Sequence, residues 1–407
     1  MSTSSHLHTF LQHVGQADFD SHTGAAPVAL PSMRTSTVRF KSLDHLDQAA
    51  KDRAVGGRSV VYGRAGMDNH RALEDVFCEL EAGTHAFLVP SGMSAISLAV
   101  MSLVSQGDHI IAVDCAYGPV HALDTHMLQR MGVSTSYCAP SVKGAEAALT
   151  PNTKVLYLES PGSLLMQMID MPALAAFAAD HGLIVITDNT WGSGLIYQPL
   201  SLGADVSVVA GTKYVSGHSD LLIGAVIVKD DAIAAKINAC NYALGYSVSA
   251  DDVWLALRGV RTMPLRMREC ARNALRVCEA LSTWPEVKKI YHPAWKGDAH
   301  HALWQRDATG SNGLLAVSLD IDKAQARCLV DALELFGIGF SWGGFESLVQ
   351  LVDPAAVAQH SYWGNSSATL LRLHIGLEHA DDLIADLEQA LAQAKSLSLF
   401  SAERPLP

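Results

Sequence analysis

The most informative segment of the chain is Val206-Ser207-Val208-Val209-Ala210-Gly211-Thr212-Lys213. Its first half is a short, mostly apolar run, which predicts a strand covered on both faces of a sheet. Its second half leaves that strand through a loop that contains Gly211. A lysine in such a loop can be a phosphate ligand, an ion-pair partner or a desolvated amine nucleophile. The segment alone leaves these three interpretations open.

Apolar runs of the same kind lie on both sides of this segment. They cover residues 86–89, 109–113, 155–158, 183–186 and 223–228. Because helical stretches separate them, they predict an α/β fold with a mainly parallel central sheet. Nearer the C-terminus the pattern changes to that of a smaller α+β domain. Its strand-like and helix-like residues are 313–319, 323–335, 369–375 and 383–394.

A predicted helix break marks the end of the large domain. Ser249 is a typical capping residue for the start of a helix, and Pro264 predicts a kink or break in it. Residues 1–60 show no sustained periodicity and are expected to form an arm that orders against another part of the protein. We therefore expect an N-terminal arm (1–60), a large domain (61–260) and a smaller C-terminal domain (261–407).

The charge balance excludes several classes of partner. With 29 Lys and Arg residues against 41 Asp and Glu residues, the net charge is −12, so we expect no binding to nucleic acid or to an anionic membrane. A pocket for a single phosphate stays possible, because backbone amides and one or two arginines suffice. No apolar run approaches the roughly 18 residues of a membrane span, and the first basic residue is Arg34, which argues against a secretory signal. We expect a cytosolic protein that has reduced cysteines and no metal site.

Polar groups follow three of the predicted strands, where open parallel sheets bind their ligands. Residues 90–94 are predicted to form a turn at the start of a helix, where free amides favour a phosphate. The same sequence is also typical of a strand-to-helix turn that binds nothing. Asp188 emerges from an apolar strand and either faces a cation or caps the next element. About 25 residues later, Lys213 leaves another strand. A phosphate cradle, an acid facing a ring cation and an amine together are what pyridoxal phosphate requires.

A dinucleotide explains these features less well. The tight pair Gly192-Ser193-Gly194 has Tyr197 where the third glycine of a Rossmann fingerprint would fall. The chain contains neither a Walker loop nor a Gly-x-Ser-x-Gly elbow. A nicotinamide oxidoreductase is therefore a distant alternative.

From about residue 60 to residue 395, the sequence resembles the cystathionine-metabolising family of fold-type I pyridoxal-phosphate enzymes, and its β-lyase branch above all. The motifs that carry the resemblance are Tyr62-Gly63-Arg64, Cys78-Glu79-Leu80-Glu81, Glu159-Ser160-Pro161-Gly162, Asp188-Asn189-Thr190-Trp191, Ala210 to Asp220, Ser341 to Leu348 and Leu371 to Glu378. An ordered set of this length is highly specific. It implies the transferase-like fold of these enzymes and pyridoxal 5'-phosphate as the cofactor.

The resemblance also implies roles for individual residues. Lys213 would form the Schiff base with the cofactor and transfer protons, helped by Tyr117, which would stack on the ring. Asp188 would pair with the pyridinium nitrogen, as charge physics also favours. The remaining expected contacts are Gly92, Met93 and Thr212 to the phosphate, Tyr62 and Arg64 to the phosphate of a neighbouring subunit, and Arg372, Ser341, Trp342 and Tyr62 to the substrate.

Several positions depart from the pattern of parts of the family. Ala210 stands where many relatives have a serine that helps to hold the phosphate, and the β-lyase branch also lacks this serine. Pro119 stands where methionine γ-lyases carry a cysteine, which argues against that activity. Phe340 takes the place of a glutamate of γ-synthases and γ-lyases, which fits β-elimination better. Bacterial β-lyases tend to have Tyr at Phe345 and a second Arg at Ala65, and these two differences leave the exact substrate open.

The resemblance implies cleavage of the Cβ–S bond of L-cystathionine to homocysteine, pyruvate and ammonia, a step of transsulfuration and methionine biosynthesis. It also implies a homo-oligomer, at least a dimer and expected to be a tetramer built as a dimer of dimers. The alternatives are a cysteine desulfhydrase or another β/γ-lyase or synthase of the family. A non-catalytic ligand-binding homologue is disfavoured, because binding alone needs no nucleophilic amine.

Overall fold

The computed structural model describes residues 6–54, 56–364 and 366–402. The helices are α1 Leu7–His13, α2 Leu43–Ala54, α3 Asp68–Glu81, α4 Gly92–Met101, α5 Pro119–Leu123, α6 Val142–Ala148, α7 Met171–Asp180, α8 Asp231–Leu244, α9 Ala250–Val260, α10 Met263–Leu281, α11 His301–Asp307, α12 Lys323–Asp331, α13 Pro354–Val357 and α14 Ala380–Ala402. The strands are β1 His85–Val89, β2 His109–Val113, β3 Ser134–Cys138, β4 Thr153–Glu159, β5 Ile184–Asp188, β6 Val206–Val209, β7 Gly224–Val228, β8 Val287–Tyr291, β9 Leu314–Leu319, β10 Gly337–Ile338, β11 Leu348–Leu351 and β12 Thr369–His374.

Seven strands form the central sheet in the order β1-β7-β6-β5-β4-β2-β3. The pairs among β2 to β6 are parallel, whereas β7 runs antiparallel to both of its neighbours, β1 and β6. Every residue of β2, β6 and β7 is buried, as their mostly apolar sequences predict. The prediction of an α/β fold with a mainly parallel sheet is confirmed. β3, at the edge of the sheet, was not predicted.

A second sheet of five strands, in the order β10-β11-β12-β9-β8, forms the smaller α+β unit. Apolar residues of α10 and α14 pack on it in a core of their own, which includes Val277, Leu315, Leu373 and Leu387. The two strands predicted in this region are observed as β9 and β12. The small unit therefore has a hydrophobic core of its own. A site between the two sheets is bordered by a packed core on each side.

The connection between the two regions follows the predicted helix break. Ser249 caps α9 with its side chain, α9 ends at Val260, and α10 begins at Met263 with Pro264 in its first turn. Proline is tolerated there because the first turn of a helix has no partners for its N–H groups. The break at Pro264 is confirmed.

The N-terminal segment contains two helices that its weak periodicity did not predict. Leu11 of α1 is fully buried, and Gln12 donates a hydrogen bond to the Arg261 carbonyl at 2.6 Å. Further along, the Ser32 hydroxyl donates to Asp251 at 2.8 Å. Contacts with both ends of α9 thus order residues that lack a regular pattern of their own.

No helix in the described part of the chain is both long enough and apolar enough to cross a membrane.

Candidate active site

Lys213 lies in the loop after β6, where the two sheets meet. Its Nζ donates a hydrogen bond to the Ser341 hydroxyl at 2.5 Å and lies 5.3 Å from the centre of the Trp342 ring. Burial, followed by the nearby Arg372 guanidinium, lowers the pKa of Lys213 to about 8, against a smaller opposite effect of Asp188. At pH 7 roughly one in ten of these amines is therefore unprotonated, far more than for an ordinary lysine, and the unprotonated form is the one that a nucleophile or a base requires.

Asp188 is the last residue of β5 and is buried. Its Oδ1 accepts the Thr190 N–H at 2.8 Å. Burial raises the pKa of Asp188, while hydrogen bonds from Thr190 and the charge of Lys213 oppose that rise. A buried carboxylate gains most from a cation placed against it, and a protonated ring nitrogen is such a cation.

The first turn of α4 is directed at the beginning of the lysine loop. Ser91 caps the helix by accepting the Ser94 N–H at 3.1 Å, and among the described residues the amides of Gly92 and Met93 have no acceptor. A Cβ atom on Gly92 would lie 2.5 Å from the Ala210 Cβ, so only glycine allows this close approach. Two free amides at a helix N-terminus form an anion-binding cradle.

Thr212 is close to this cradle, but its hydroxyl is already used within the chain. The hydroxyl donates to the Ile223 carbonyl at 3.1 Å and accepts the Ile223 N–H at 3.0 Å. Its predicted contact with a phosphate stays a prediction.

Arg372 reaches the same place from β12. Its guanidinium donates to the Ser341 carbonyl at 3.0 Å, the only hydrogen bond it makes within the described part of the chain. Burial lowers the pKa of Arg372 to about 10. A partly buried guanidinium with most of its donors free is suited to hold a carboxylate in a two-pronged contact.

The loop that carries Ser341 and Trp342 lies directly against the lysine. Ser341 has φ 80°, a region that L-residues rarely adopt, and Gly343 has φ 89°. A Cβ on Gly343 would come within 3.0 Å of the Lys213 backbone. The Ser219 hydroxyl donates to the Glu346 carboxylate and fastens the loop to the large unit. Rare backbone conformations of this kind concentrate at functional sites.

Tyr117 follows β2 and is 45% exposed. Its backbone N–H donates to Glu159 Oε2 at 2.6 Å. Burial, followed by Glu159 and Asp188, raises the pKa of the Tyr117 phenol, and Arg372 lowers it. The phenol therefore stays protonated at neutral pH, and its half-exposed ring can cover a flat ligand.

Tyr62 and Arg64 are not part of the group of residues around Lys213. They line a cavity of about 470 Å³ together with His70 and residues 247–250, and none of its lining residues belongs to the group around Lys213. The Arg64 guanidinium lies 4.6 Å from the centre of the Tyr242 ring and donates to the Tyr242 carbonyl. Of the predicted site residues, the structure does not bring these two to the site of their own chain.

Two carboxyls of the site, the buried Glu81 and the partly buried Glu159, were quoted in the sequence motifs without a role. Glu159 ends β4 beside Asp188, and Glu81 accepts hydrogen bonds from Asn189 and Ser207, both at 2.9 Å. Burial raises the pKa of Glu81 to about 8. Glu159 could have been found from the sequence, since it directly follows a predicted strand as Asp188 does. Nothing in the sequence places Glu81.

A partly buried amine of lowered pKa, a buried acid, a guanidinium with most of its donors unused and an anion cradle together fit pyridoxal phosphate and an amino-acid substrate. The fold and this site define a pyridoxal-phosphate enzyme. Comparison with known proteins agrees, because residues 8–392 match the family model described as "Cys/Met metabolism PLP-dependent enzyme".

Individual relatives are similar over nearly the whole chain. The cystathionine beta-lyase of Bordetella avium is 59% identical over 97% of this chain and 99% of its own. That of Escherichia coli K12 is 37% identical over 88% and 92% of the two chains. A crystal structure of cystathionine gamma synthase from Xanthomonas oryzae pv. oryzae, in complex with cystathionine, superposes with a TM-score of 0.87 at 28% identity, covering 97% and 100%.

The chain belongs to the Cys/Met metabolism family of pyridoxal-phosphate-dependent enzymes, and its cofactor is pyridoxal 5'-phosphate.

Proposed function

We propose that this enzyme is a carbon–sulfur β-lyase that cleaves L-cystathionine to homocysteine, pyruvate and ammonia. The observation that carries the proposal is that Lys213 and Arg372 both contact Ser341, the lysine through its hydroxyl and the arginine through its carbonyl. An amine that accepts a proton and a guanidinium that binds a carboxylate are what elimination from an α-amino acid needs. The 59% identity to a cystathionine beta-lyase supports the choice of substrate.

Each residue of the site has a part in this reaction. When bound, pyridoxal phosphate withdraws electrons from the α-carbon of an amino acid joined to it. Arg372 holds the substrate α-carboxylate, and Lys213 Nζ, aided by Tyr117, removes the proton from Cα. The Ser341 hydroxyl keeps Nζ in place, and the Trp342 ring shields it from water. In this proposal Asp188 faces the ring nitrogen, and Gly92, Met93 and Thr212 hold the phosphate.

We also propose a homo-oligomer, at least a dimer and by preference a tetramer built as a dimer of dimers. Tyr62 and Arg64 are away from the site of their own chain, which supports their assignment to the phosphate and substrate of a partner subunit. Seven cysteines that form no disulfide support a reducing compartment, and we assign the enzyme to the cytoplasm.

The nature of the keto acid tests the proposed reaction. The purified holoenzyme is supplied in separate reactions with L-cystathionine, L-cysteine or L-methionine at equal concentration. The keto acids formed in each reaction are separated by chromatography. We expect pyruvate from cystathionine as the main product. If 2-oxobutyrate predominates, elimination occurs at Cγ and the proposal is wrong.

The second candidate, a desulfhydrase or another C–S lyase, has one observation in its favour. Ala65 follows Arg64 where bacterial β-lyases tend to carry a second arginine, and this difference leaves the exact substrate open. In the same experiment, faster pyruvate formation from cysteine than from cystathionine would select this candidate.

A further inference from the structure

Glu159 lies beside the proposed cofactor acid. It is the last residue of β4 and pairs in register with Asp188, the last residue of β5. In-register residues of neighbouring parallel strands project to the same face of the sheet. Two carboxyl groups therefore reach the same side of the sheet where one would suffice to face a ring nitrogen.

The carboxyl group of Glu159 makes one specific contact. Its Oε2 accepts the backbone N–H of Tyr117 at 2.6 Å. On either side of that peptide, Ala116 donates to the Val113 carbonyl at 3.2 Å and Val120 donates to the Tyr117 carbonyl at 2.8 Å. Glu159 thus completes the fixation of a short turn, and this turn determines where the Tyr117 ring lies.

The surroundings of Glu159 favour a neutral carboxyl. Burial, followed by the charge of Asp188, raises the pKa of Glu159 well above its usual range, and the Tyr117 N–H opposes this rise. Among the described residues, no cationic side chain forms an ion pair with Glu159. An uncharged carboxyl oxygen still accepts an N–H.

We propose that Glu159 is a positioning residue: its carboxyl oxygen fixes the Tyr117 backbone, and through it the Tyr117 ring over the cofactor, as a hydrogen-bond acceptor and not as a charge. The inference rests on the proposed function in one respect, the assignment of Tyr117 to the face of the cofactor.

A matched pair of variants separates the acceptor from the charge. Glu159→Gln keeps a carbonyl oxygen without the charge, and Glu159→Leu has similar bulk and no acceptor. Glu146→Gln, exposed on α6, is the control for loss of one negative charge. The readouts are the dissociation constant of pyridoxal phosphate, the circular dichroism of its visible band and kcat/KM for cystathionine.

We expect Glu159→Gln and the control to stay within about twofold of the wild type in all three readouts. Glu159→Leu should weaken cofactor binding by about tenfold, the equivalent of one hydrogen bond. It should also diminish the circular dichroism of the visible band, because the ring no longer has one fixed position. An equal loss in Glu159→Gln would show that the charge matters, and unchanged values in Glu159→Leu would show that the contact does not. Either result overturns the proposal.

Hydrogen exchange of the Tyr117 amide keeps the proposal testable if the leucine variant does not fold. The amide should exchange slowly in the wild type and in Glu159→Gln, and rapid exchange in the wild type would contradict the contact. Failure of the proposed function is distinguishable, because the wild type would then show no visible cofactor band or no elimination. If the wild type shows the visible cofactor band and elimination, and the Glu159 variants change none of the readouts, only the role of Glu159 is overturned.

Discussion

At the scale of single residues, Lys213 is the group whose environment most changes its chemistry. Its amine is partly buried beside Trp342, hydrogen-bonded to Ser341 and close to Arg372. Desolvation and a like charge both disfavour the ammonium form. The outcome is an amine poised for proton transfer near neutral pH.

The pH dependence of cofactor capture tests this environment. Because the pKa of Lys213 is lowered to about 8, the reactive free amine increases as pH rises and saturates above that value. We expect the rate at which the apoenzyme captures pyridoxal phosphate to rise about tenfold per pH unit below 8 and to level off above it. Rapid mixing between pH 6 and pH 10 measures this. A rate that still rises steeply beyond about pH 10, the ordinary lysine value, would contradict it.

The residues that the sequence predicts well are those that follow a strand directly. Gly92, Asp188 and Lys213 were found in this way, since each lies just beyond an apolar run. Arg372 and Ser341 came from the family resemblance, because no pattern joins Ser341 to a lysine 128 positions away. The buried Glu81 illustrates the limit, since its partners Asn189 and Ser207 come from distant elements.

At the scale of elements, α4 is the helix whose first turn forms the proposed phosphate cradle. Its N-terminus depends on Ser91, which accepts the Ser94 N–H at 3.1 Å. The α6 helix offers a matched comparison, because Ser141 accepts the Gly144 N–H at the same distance.

Two capping variants therefore separate folding from cofactor binding. Ser91→Ala and Ser141→Ala should each lower the free energy of unfolding by about 1 kcal/mol. Only Ser91→Ala should also weaken pyridoxal-phosphate binding, by about fivefold, because the free amides of that turn lose their fixed orientation. Denaturant titration and cofactor titration measure the two effects. Equal cofactor affinity in both variants would argue against a cradle at α4.

Elements in the centre of a sheet are predictable, and elements at its edge are less so. β2 and β6 begin and end at their predicted residues, since burial on both faces of the sheet favours a mostly apolar run. β3 pairs only with β2, and its sequence Ser-Thr-Ser-Tyr-Cys, only partly buried, carries no such signal. The α1 helix is another element that the sequence does not predict, because packing against the rest of the fold stabilises it more than its own helix propensity does.

At the scale of the whole molecule, the site needs both sheets. Lys213 and Asp188 come from the seven-stranded sheet, whereas Arg372 comes from the five-stranded one. We propose the division into an arm (1–60), a cofactor domain (61–260) and a substrate-side domain (261–407). The separate apolar cores of the two sheets support the split between the last two domains, and Leu11 and Val14 of the arm belong to the core of the large sheet.

Complementation between inactive variants tests whether a second subunit completes the site. Lys213→Ala and Arg64→Ala should each have little activity alone. After mixing under conditions that allow subunit exchange, activity should recover to about a quarter of the wild type, because half of the dimers would contain one intact site. Mixing two preparations of the same variant is the control. Absence of recovery, in mixtures shown by mass spectrometry to contain heterodimers, would contradict a shared site.

The proposed reaction depends on covalent attachment of the cofactor aldehyde to one amine. Reduction of the holoenzyme with borohydride converts that linkage to a stable secondary amine, and peptide mass spectrometry then locates it. We predict a pyridoxyl group on Lys213 in the wild type, and neither this modification nor a visible cofactor band in Lys213→Ala. A pyridoxyl group on another lysine, or on none, would contradict the account.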